Sequence, residues 1–407
     1  MGPGGDGQDV GGDAQDAEDA RGEDRATPDE RFAALAADRL RALAEVAVLA
    51  RRCACPGAAG WFAYRRDSLV ADERGVKAVS ALVGGVEVER SERLPGMVRA
   101  RLAEGGPDPL VLSALVAQSD PGALVAPDHL LVPLYHMLTF PYSLPTPVGA
   151  LGEIAVTKTA GGPSVGVLDT GCIVRHPWWQ GQVDAADEAP PSGAADIASG
   201  HGTFITGVVR QVAPGVRVVA RRASAELFAS EWDAAAALLE LGADERVGVL
   251  NVSLGTYVAD GSSALALRAA VEELRRQRGD SLVIVAAAGN QATDAPVYPA
   301  CLPGVVAVGA VVRGRRGTVR APYSNHGPWV DACAAGSWDS AYFDGPIAPL
   351  GATFNGYAHW VGTSFAAPVV AARIAGEAAA GSLSARQAAG AVLGAGAAVP
   401  GVGRYVA

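Results

Sequence analysis

The pattern of apolar and polar positions predicts one large domain from residue 164 onward. Short, nearly continuous apolar stretches are the predicted strands of this domain, at 164–169, 216–220, 247–253, 282–288 and 305–311. Segments with apolar residues at helical spacing separate them, near 202–212, 230–241 and 262–277. Strands that are apolar on both faces and alternate with helices are typical of a parallel sheet that is covered on both sides. We therefore predict an α/β domain over 164–407, a doubly wound, mostly parallel sheet with helices on both faces.

The preceding stretch, 60–138, has a different pattern and predicts a small α+β unit. Its segments alternate between strand-like and helix-like patterns, at 61–72, 73–85, 86–91, 108–119 and 123–134. With one further short strand, this order corresponds to a split-βαβ unit. The unit contains no cluster of catalytic groups, and the isolated His129 and His136 are expected to be structural.

Three further segments flank these two domains. Residues 1–28 are rich in Gly and Asp and are predicted to be a disordered acidic tail, because they cannot bury enough apolar surface to fold. Residues 29–56 are predicted to be an amphipathic helix that packs on the next domain, and 29–52 could alternatively dock a partner. The Pro- and Gly-rich stretch 139–163 is predicted to be a linker.

Charge narrows the classes of partner and the location. The net charge of −10 makes nucleic acid and anionic membranes unsuitable partners, but it leaves peptide and small-molecule partners open. No segment has 18 consecutive apolar residues, and the acidic N-terminus lacks the basic and apolar regions of a signal peptide. A cytoplasmic protein is expected, or a secreted one if the start codon is misassigned.

The five cysteines do not predict disulfides or a metal site. Their odd number and wide spacing fit buried free thiols, and the pair Cys53 and Cys55 lacks zinc-ligand spacing. No cofactor is predicted, and no dense Asp/Asn loop indicates calcium. Weak structural calcium held by backbone carbonyls remains open.

Four polar residues lie where active sites form in proteins with a parallel sheet, at the carboxyl ends of strands and the starts of helices. Asp169 ends the first strand, Asn290 follows the fourth, and His201 and Ser364 open helices. Each has an ordinary explanation when taken alone, as a cap, a turn residue or a structural histidine. Together they are the components of a serine nucleophile, a histidine base, an orienting carboxylate and an oxyanion donor.

The residues around these positions resemble the subtilisin family of serine peptidases. The resemblance covers about 164 to 380 and is carried by "VGVLDTG", "HGTFITGVV", "NVSLG", "AAAGN", "YPA" and "GTSFAAPVVAA". The chain order Asp169, His201, Ser364 is also the order of the triad in subtilisin.

The resemblance implies a role for each matched position. Asp169 would orient the base His201, Ser364 would be the nucleophile, and Asn290 with the Ser364 backbone N–H would form the oxyanion hole. Peptide or protein substrates would bind through further residues. Ser253, Leu254 and Gly255 would pair with the substrate backbone. Ala287, Ala288 and Gly289 would line the specificity pocket, and Val297 would form its floor.

The resemblance also implies that 60–138 is an inhibitory prodomain, removed by self-cleavage within about 139–163. One alternative is a catalytically silent subtilisin-like protein that acts as a binding module. A nucleotide-binding protein is less suitable, because "DTGCIVRHP" after the first strand is not a glycine-rich phosphate loop.

Overall fold

An antiparallel sheet with two helices forms the first part of the molecule. The computed structural model describes residues 47–51, 61–133, 144–155, 161–185, 200–223, 228–259, 262–315, 317–347 and 351–407. The elements of this N-terminal unit are β1 (Ala47–Arg51), β2 (Trp61–Ala71), α1 (Glu73–Val83), β3 (Glu87–Arg90), β4 (Val98–Arg101), α2 (Pro109–Ser119) and β5 (Val125–Pro133). The strand order is β5-β2-β4-β3, with β1 beside β2. The β-α-β-β-α-β order predicted for this region is present.

Local sequence sets the ends of both helices. The carboxylate of Asp72 accepts a hydrogen bond from Gly75 N at 2.6 Å and caps α1, and Gly84 ends α1 in the left-handed region, at φ 81°. Asp108 caps α2 in the same way, just before a proline in the first turn. The helices and the sheet share a small core of buried residues that includes Leu69, Val79, Val98, Leu112 and Val116.

The predicted helix over 29–56 is wrong at Ala47–Arg51, which form β1. This strand pairs antiparallel with residues 61–65 of β2, and Ala47 is buried in a cluster with Ala63, Leu130 and Phe228. The apolar segment suits either element, and pairing with a distant segment decides in favour of a strand. The rest of the predicted helix, and the predicted tail over 1–28, lie outside the described residues.

A largely parallel sheet forms the centre of the second domain. Its strands are β7 (Ser164–Asp169), β8 (Val183–Ala185), β9 (Val218–Arg222), β11 (Val247–Val252), β13 (Val283–Ala287), β14 (Val305–Gly314), β15 (Gly317–Arg320), β16 (Ala332–Ala335), β19 (Ala398–Val399) and β20 (Gly403–Tyr405). They are ordered β19-β20-β16-β14-β13-β11-β7-β9-β8, and β15 pairs with β14. The helices are α3 (His201–Val212), α4 (Glu231–Ala243), α5 (Leu265–Arg278), α6 (Thr363–Gly381) and α7 (Ala385–Ala395).

Successive strand residues point into two different cores. Val165 and Val167 of β7 belong to a cluster that contains residues of α3 and α6. Leu168 belongs to a second cluster, which contains residues of α4 and α5. This alternation explains why the strands are apolar on both faces, and it confirms the predicted α/β sheet with helices on both sides.

Part of the predicted linker lies against the second domain. Thr146–Pro147 form β6, which pairs with β18 (Ala352–Val361) of the hairpin that this strand makes with β17 (Ser337–Ile347). The Trp178 indole donates to the Gly152 carbonyl at 3.0 Å, which fixes the segment further along. The composition of 139–163 did not indicate these contacts, because they depend on a hairpin two hundred residues away.

Candidate active site

Asp169 and His201 meet at the centre of the large sheet. Asp169 is the last residue of β7, and His201 is the first residue of α3. His201 Nδ1 and Asp169 Oδ1 are 2.7 Å apart, and both side chains are buried. The carboxylate also accepts the Thr170 N–H at 2.8 Å, which fixes its orientation. A carboxylate on Nδ1 selects the tautomer in which Nε2 can accept a proton.

The glycines beside His201 are required by close contacts. A Cβ on Gly202 would lie 2.1 Å from the Gly171 carbonyl oxygen and 3.2 Å from Asp169 Cβ. Gly200 has φ 93°, and a Cβ there would lie 2.5 Å from the Tyr342 ring. Gly202 therefore allows α3 to start directly against the turn that follows β7, and Gly200 allows the same helix start to lie against β17.

Ser364 occupies the first turn of α6 and is buried. Its Oγ has no hydrogen-bond partner among the described residues. Its carbonyl accepts a hydrogen bond from Ser253 Oγ at 2.9 Å, and that hydroxyl also accepts the Asn251 side-chain amide at 3.0 Å. The start of α6 is thereby tied to the segment predicted to bind substrate backbone, and Ser364 keeps its hydroxyl available.

The Asn290 amide is held at the same helix start by Thr363. Asn290 Oδ1 accepts from Thr363 N and from Thr363 Oγ1, each at 2.9 Å. Thr363 Oγ1 in turn accepts the Gly289 N–H at 3.1 Å. A Cβ on Gly362 would lie 3.3 Å from Asn290 Nδ2, so this donor lies beside the backbone that precedes Ser364. The sequence analysis did not single out Thr363, although its place between Gly362 and Ser364 was a usable signal.

Strand β5 of the N-terminal unit lies between two short strands of the second domain. On one side Leu130 and Leu131 pair with β10 (Ala229–Ser230), and on the other Val132 and Pro133 pair with β12 (Leu254–Gly255). The backbone of β12, predicted to pair with an added strand, is therefore paired with one. The role of β10 was not predicted, because a two-residue strand leaves no pattern in a sequence.

The predicted pocket residues form one buried wall. Ala287 ends β13, Ala288 and Gly289 follow it, and all three are buried. A Cβ on Gly289 would lie 3.2 Å from Val297 Cγ2, so Val297 packs against this wall. Val297 itself is completely buried. The structure brings these residues together, and their contact with a substrate side chain stays a prediction.

An aromatic cluster that the sequence analysis missed covers the other side of His201. The His201 ring is 5.3 Å from the Trp360 ring, at an angle of 81°, and 5.4 Å from the Phe365 ring. Phe204 and Tyr342 extend the cluster, and Trp360 is fully buried. Tyr342 and Trp360 come from the β17–β18 hairpin, and Phe204 and Phe365 come from the helices that begin at the candidate catalytic groups. They restrict the imidazole to the side that faces Asp169.

The described part of the chain holds no group of three or more His, Cys, Asp or Glu side chains that could bind a metal ion. No helix in that part is long and apolar enough to cross a membrane. Cys172 and Cys333 are buried free thiols, and burial raises the pKa of each to about 12. The predictions about cofactors and location stay predictions.

The comparison with known families agrees with the site. The model of the subtilase family matches residues 160–394, more than half of the chain, and the match contains all four candidate residues. The chain belongs to the subtilase family. The resemblance inferred from the motifs is thereby confirmed, as is the fold class.

Individual subtilases match at moderate identity. A thermophilic serine proteinase of Bacillus sp. (strain AK1) is 30% identical over 227 residues, 53% of this chain and 52% of that protein. Thermitase of Thermoactinomyces vulgaris is 29% identical over 226 residues, 52% of this chain and 72% of thermitase. The chain thus spans about half the length of the first of these relatives.

One solved structure extends the likeness of fold beyond the second domain. The crystal structure of fervidolysin from Fervidobacterium pennivorans, described as a keratinolytic enzyme related to subtilisin, matches with a TM-score of 0.61 at 20% identity. It covers 84% of this chain and 60% of fervidolysin. The match shows a common fold.

Proposed function

We propose that this protein is a serine endopeptidase that hydrolyses peptide bonds through Asp169, His201, Ser364 and Asn290. The observation that supports this most is the buried 2.7 Å contact of Asp169 with His201 Nδ1. The His201 ring also lies 5.4 Å from the ring of Phe365, the residue after Ser364. Membership of the subtilase family supports the same chemistry.

The proposed reaction forms and then hydrolyses an acyl-enzyme. His201 Nε2 takes the proton of Ser364 Oγ as this oxygen attacks the substrate carbonyl, and Asp169 stabilises the imidazolium. Asn290 Nδ2 and the Ser364 N–H donate to the oxyanion. His201 then protonates the leaving amine. A water molecule, deprotonated by the same imidazole, attacks the acyl group, and His201 returns the proton to Ser364 Oγ as the acid product leaves.

Substrate would bind as a strand between β10 and β12, in the place that β5 occupies. Such pairing supplies backbone hydrogen bonds that do not depend on substrate sequence. Side-chain preference would come from the wall of Ala287, Ala288 and Gly289. Because Val297 fills the space next to Gly289, we expect a small or medium apolar residue before the cut. A peptide library dominated by large aromatic or charged residues there would reject this preference.

The occupied strand position also supports latency through the N-terminal unit. While β5 pairs with Gly255 and Leu254, no substrate strand can pair there. Pro133 pairs with Leu254, the residue after Ser253, and the Ser253 hydroxyl donates to the Ser364 carbonyl. We therefore expect self-cleavage on the C-terminal side of β5, within about 139–163, as the resemblance implies. Intact-mass analysis of the native and Ser364→Ala chains locates the cut.

The decisive experiment is labelling of the full-length chain with a fluorophosphonate probe, beside Ser364→Ala. Labelling of the native chain alone supports an activated serine. If the native chain stays unlabelled, it is nicked between residues 144 and 155, the N-terminal unit is removed, and the probe is applied again. Labelling at this stage supports a latent enzyme. No labelling at either stage contradicts the proposal and favours a silent binding module.

A further inference from the structure

The N-terminal unit also contacts the second domain beside the strand pairing, through a buried polar network. On the second domain the network involves the four consecutive residues Ser230–Asp233, at the start of α4. On the N-terminal unit it is built from Arg99, Asp128, His129 and Glu89. None of these residues belongs to the candidate catalytic group.

Arg99 is the centre of this network. Its side chain is only 4% exposed, and its Nε lies 3.0 Å from Asp128 Oδ2 within its own unit. Across the interface its Nη2 lies 3.0 Å from Asp233 Oδ2 and donates to Ser230 Oγ. The guanidinium also lies 5.9 Å from the centre of the Trp232 ring. One arginine thus contacts three of the four residues of Ser230–Asp233.

Neighbouring residues complete the contact with the same helix start. Asp128 Oδ1 accepts the Trp232 N–H at 3.2 Å, and Glu89 accepts the Trp232 indole N–H at the same distance. His129 Nδ1 is 3.0 Å from Glu231 Oε2, and both side chains are fully buried. The other Glu231 oxygen accepts the Ala266 N–H at 2.6 Å, at the start of α5.

The charges in this network make Arg99 indispensable to docking. Four carboxylates, those of Glu89, Asp128, Glu231 and Asp233, lie close together, and Arg99 ion-pairs with three of them. Burial raises the pKa of Asp128 to about 6, and Arg99 acts in the opposite direction. Without the guanidinium, docking would bury Asp128 near Glu231 and Asp233 with no countercharge, whereas undocking would return these acids to water.

We propose that Ser230–Asp233 is a docking surface that recognises the N-terminal unit through Arg99, and that this contact controls how long the catalytic groups stay covered. The proposal rests on the latency proposed above, and it adds the determinant of that latency. Strand pairing is available to any extended peptide, whereas the arginine contact is specific to a partner that carries Arg99 in this position. The surface therefore distinguishes the chain's own unit from a substrate.

Amide hydrogen exchange on the full-length Ser364→Ala chain tests docking without any need for activity. Peptides that contain Trp232 report the interface, because the Trp232 amide donates to Asp128 of the N-terminal unit. We expect Arg99→Met to speed exchange there by at least about 30-fold, since truncating one partner of a buried charge pair weakens binding by this factor or more. Asp233→Asn changes a partly exposed carboxylate and should speed exchange there by about fivefold.

The matched control is Arg74→Met, which removes an arginine that pairs with Asp120 on the exposed surface of the same unit. It should leave exchange at the interface unchanged. If Arg99→Met also exposes the amides of Leu69 and Val79 in the core of the unit, the substitution has unfolded the unit, and the result for Asp233→Asn alone tests the proposal. Unchanged interface exchange in Asp233→Asn, or equal effects of Arg74→Met and Arg99→Met, overturns the proposal.

A second readout separates this inference from the proposed activity. In chains that retain Ser364, Arg99→Met should be labelled by the fluorophosphonate at least tenfold faster than the parent. Faster exchange with no labelling in any chain would uphold the docking surface and reject the peptidase. Normal labelling of the parent, with equal rates and equal exchange in both variants, would uphold the peptidase and reject the docking surface.

Discussion

Replacing Thr363 by valine should reduce catalysis through the oxyanion donor and leave substrate binding unchanged. The Thr363 hydroxyl donates to Asn290 Oδ1 and accepts the Gly289 N–H, and valine can do neither. Asn290 Oδ1 keeps one of its two hydrogen bonds from Thr363, the one from Thr363 N. Its Nδ2 then loses part of its fixed orientation toward the oxyanion.

The size of the expected fall in kcat follows from the hydrogen bond that Asn290 Oδ1 keeps. Complete loss of an oxyanion donor costs about 2.7–4 kcal/mol in kcat, and loss of one of two anchors should cost about half of that, a tenfold to thirtyfold fall. Leaving the buried Gly289 N–H without an acceptor should lower the free energy of unfolding by about 1–3 kcal/mol. KM should be unchanged, because the oxyanion forms only in the transition state.

The assay is kcat and KM on a fluorogenic peptide after removal of the N-terminal unit, with urea unfolding measured in the Ser364→Ala background. Thr363→Ser restores the hydroxyl and should recover most of kcat. Asn290→Ala gives the largest fall in kcat that loss of this donor can cause. Adding Thr363→Val to Asn290→Ala should lower kcat little further, because both changes act through the same amide. Additive losses in the double variant, or equal kcat for the serine and valine variants, would refute the role of Thr363.

Asp169→Asn should lower kcat by about 10³–10⁴-fold, because an amide does not select the imidazole tautomer that accepts a proton, and the same peptide assay checks this. Gly202→Ala should lower kcat by about 100-fold, since the alanine Cβ would displace the Gly171 carbonyl and shift His201 relative to Asp169. A near-normal kcat would show that the turn after β7 moves to accommodate the added Cβ. Burial raises the thiol pKa of Cys172 to about 12, so at pH 8 only about one thiol in 10⁴ is ionised. Cys172 should therefore resist iodoacetamide in the native chain and react in urea, as mass spectrometry can measure.

The sequence predicted the parts of the fold that local pattern determines. β7 was predicted at its observed bounds because its residues face two cores, and the end of α1 was predicted because Gly84 and Gly85 follow it. β1 was missed, since its apolar residues fit a helix equally well and only pairing with β2 decides. The hairpin of β17 and β18 was missed for the same reason.

In the candidate site too, some residues could be predicted from local sequence and others depend on distant contacts. Asp169, His201, Ser364 and Asn290 each stand next to a strand end or a helix start, so their positions could be inferred from local elements. Thr363 acts through hydrogen bonds to a loop some seventy residues earlier. The insertion of β5 between β10 and β12 depends on pairing over a hundred residues of chain, and no local pattern encodes it.

The two-sided burial of β7 has a consequence for insertions and deletions. Removing one residue from its middle would exchange the cores that Val167 and Leu168 face, and would draw Asp169 back from the sheet edge. No change of rotamer compensates for a shift of one position in a strand that has no solvent-exposed face. A scan of single-residue deletions should therefore find β7 intolerant along its whole length.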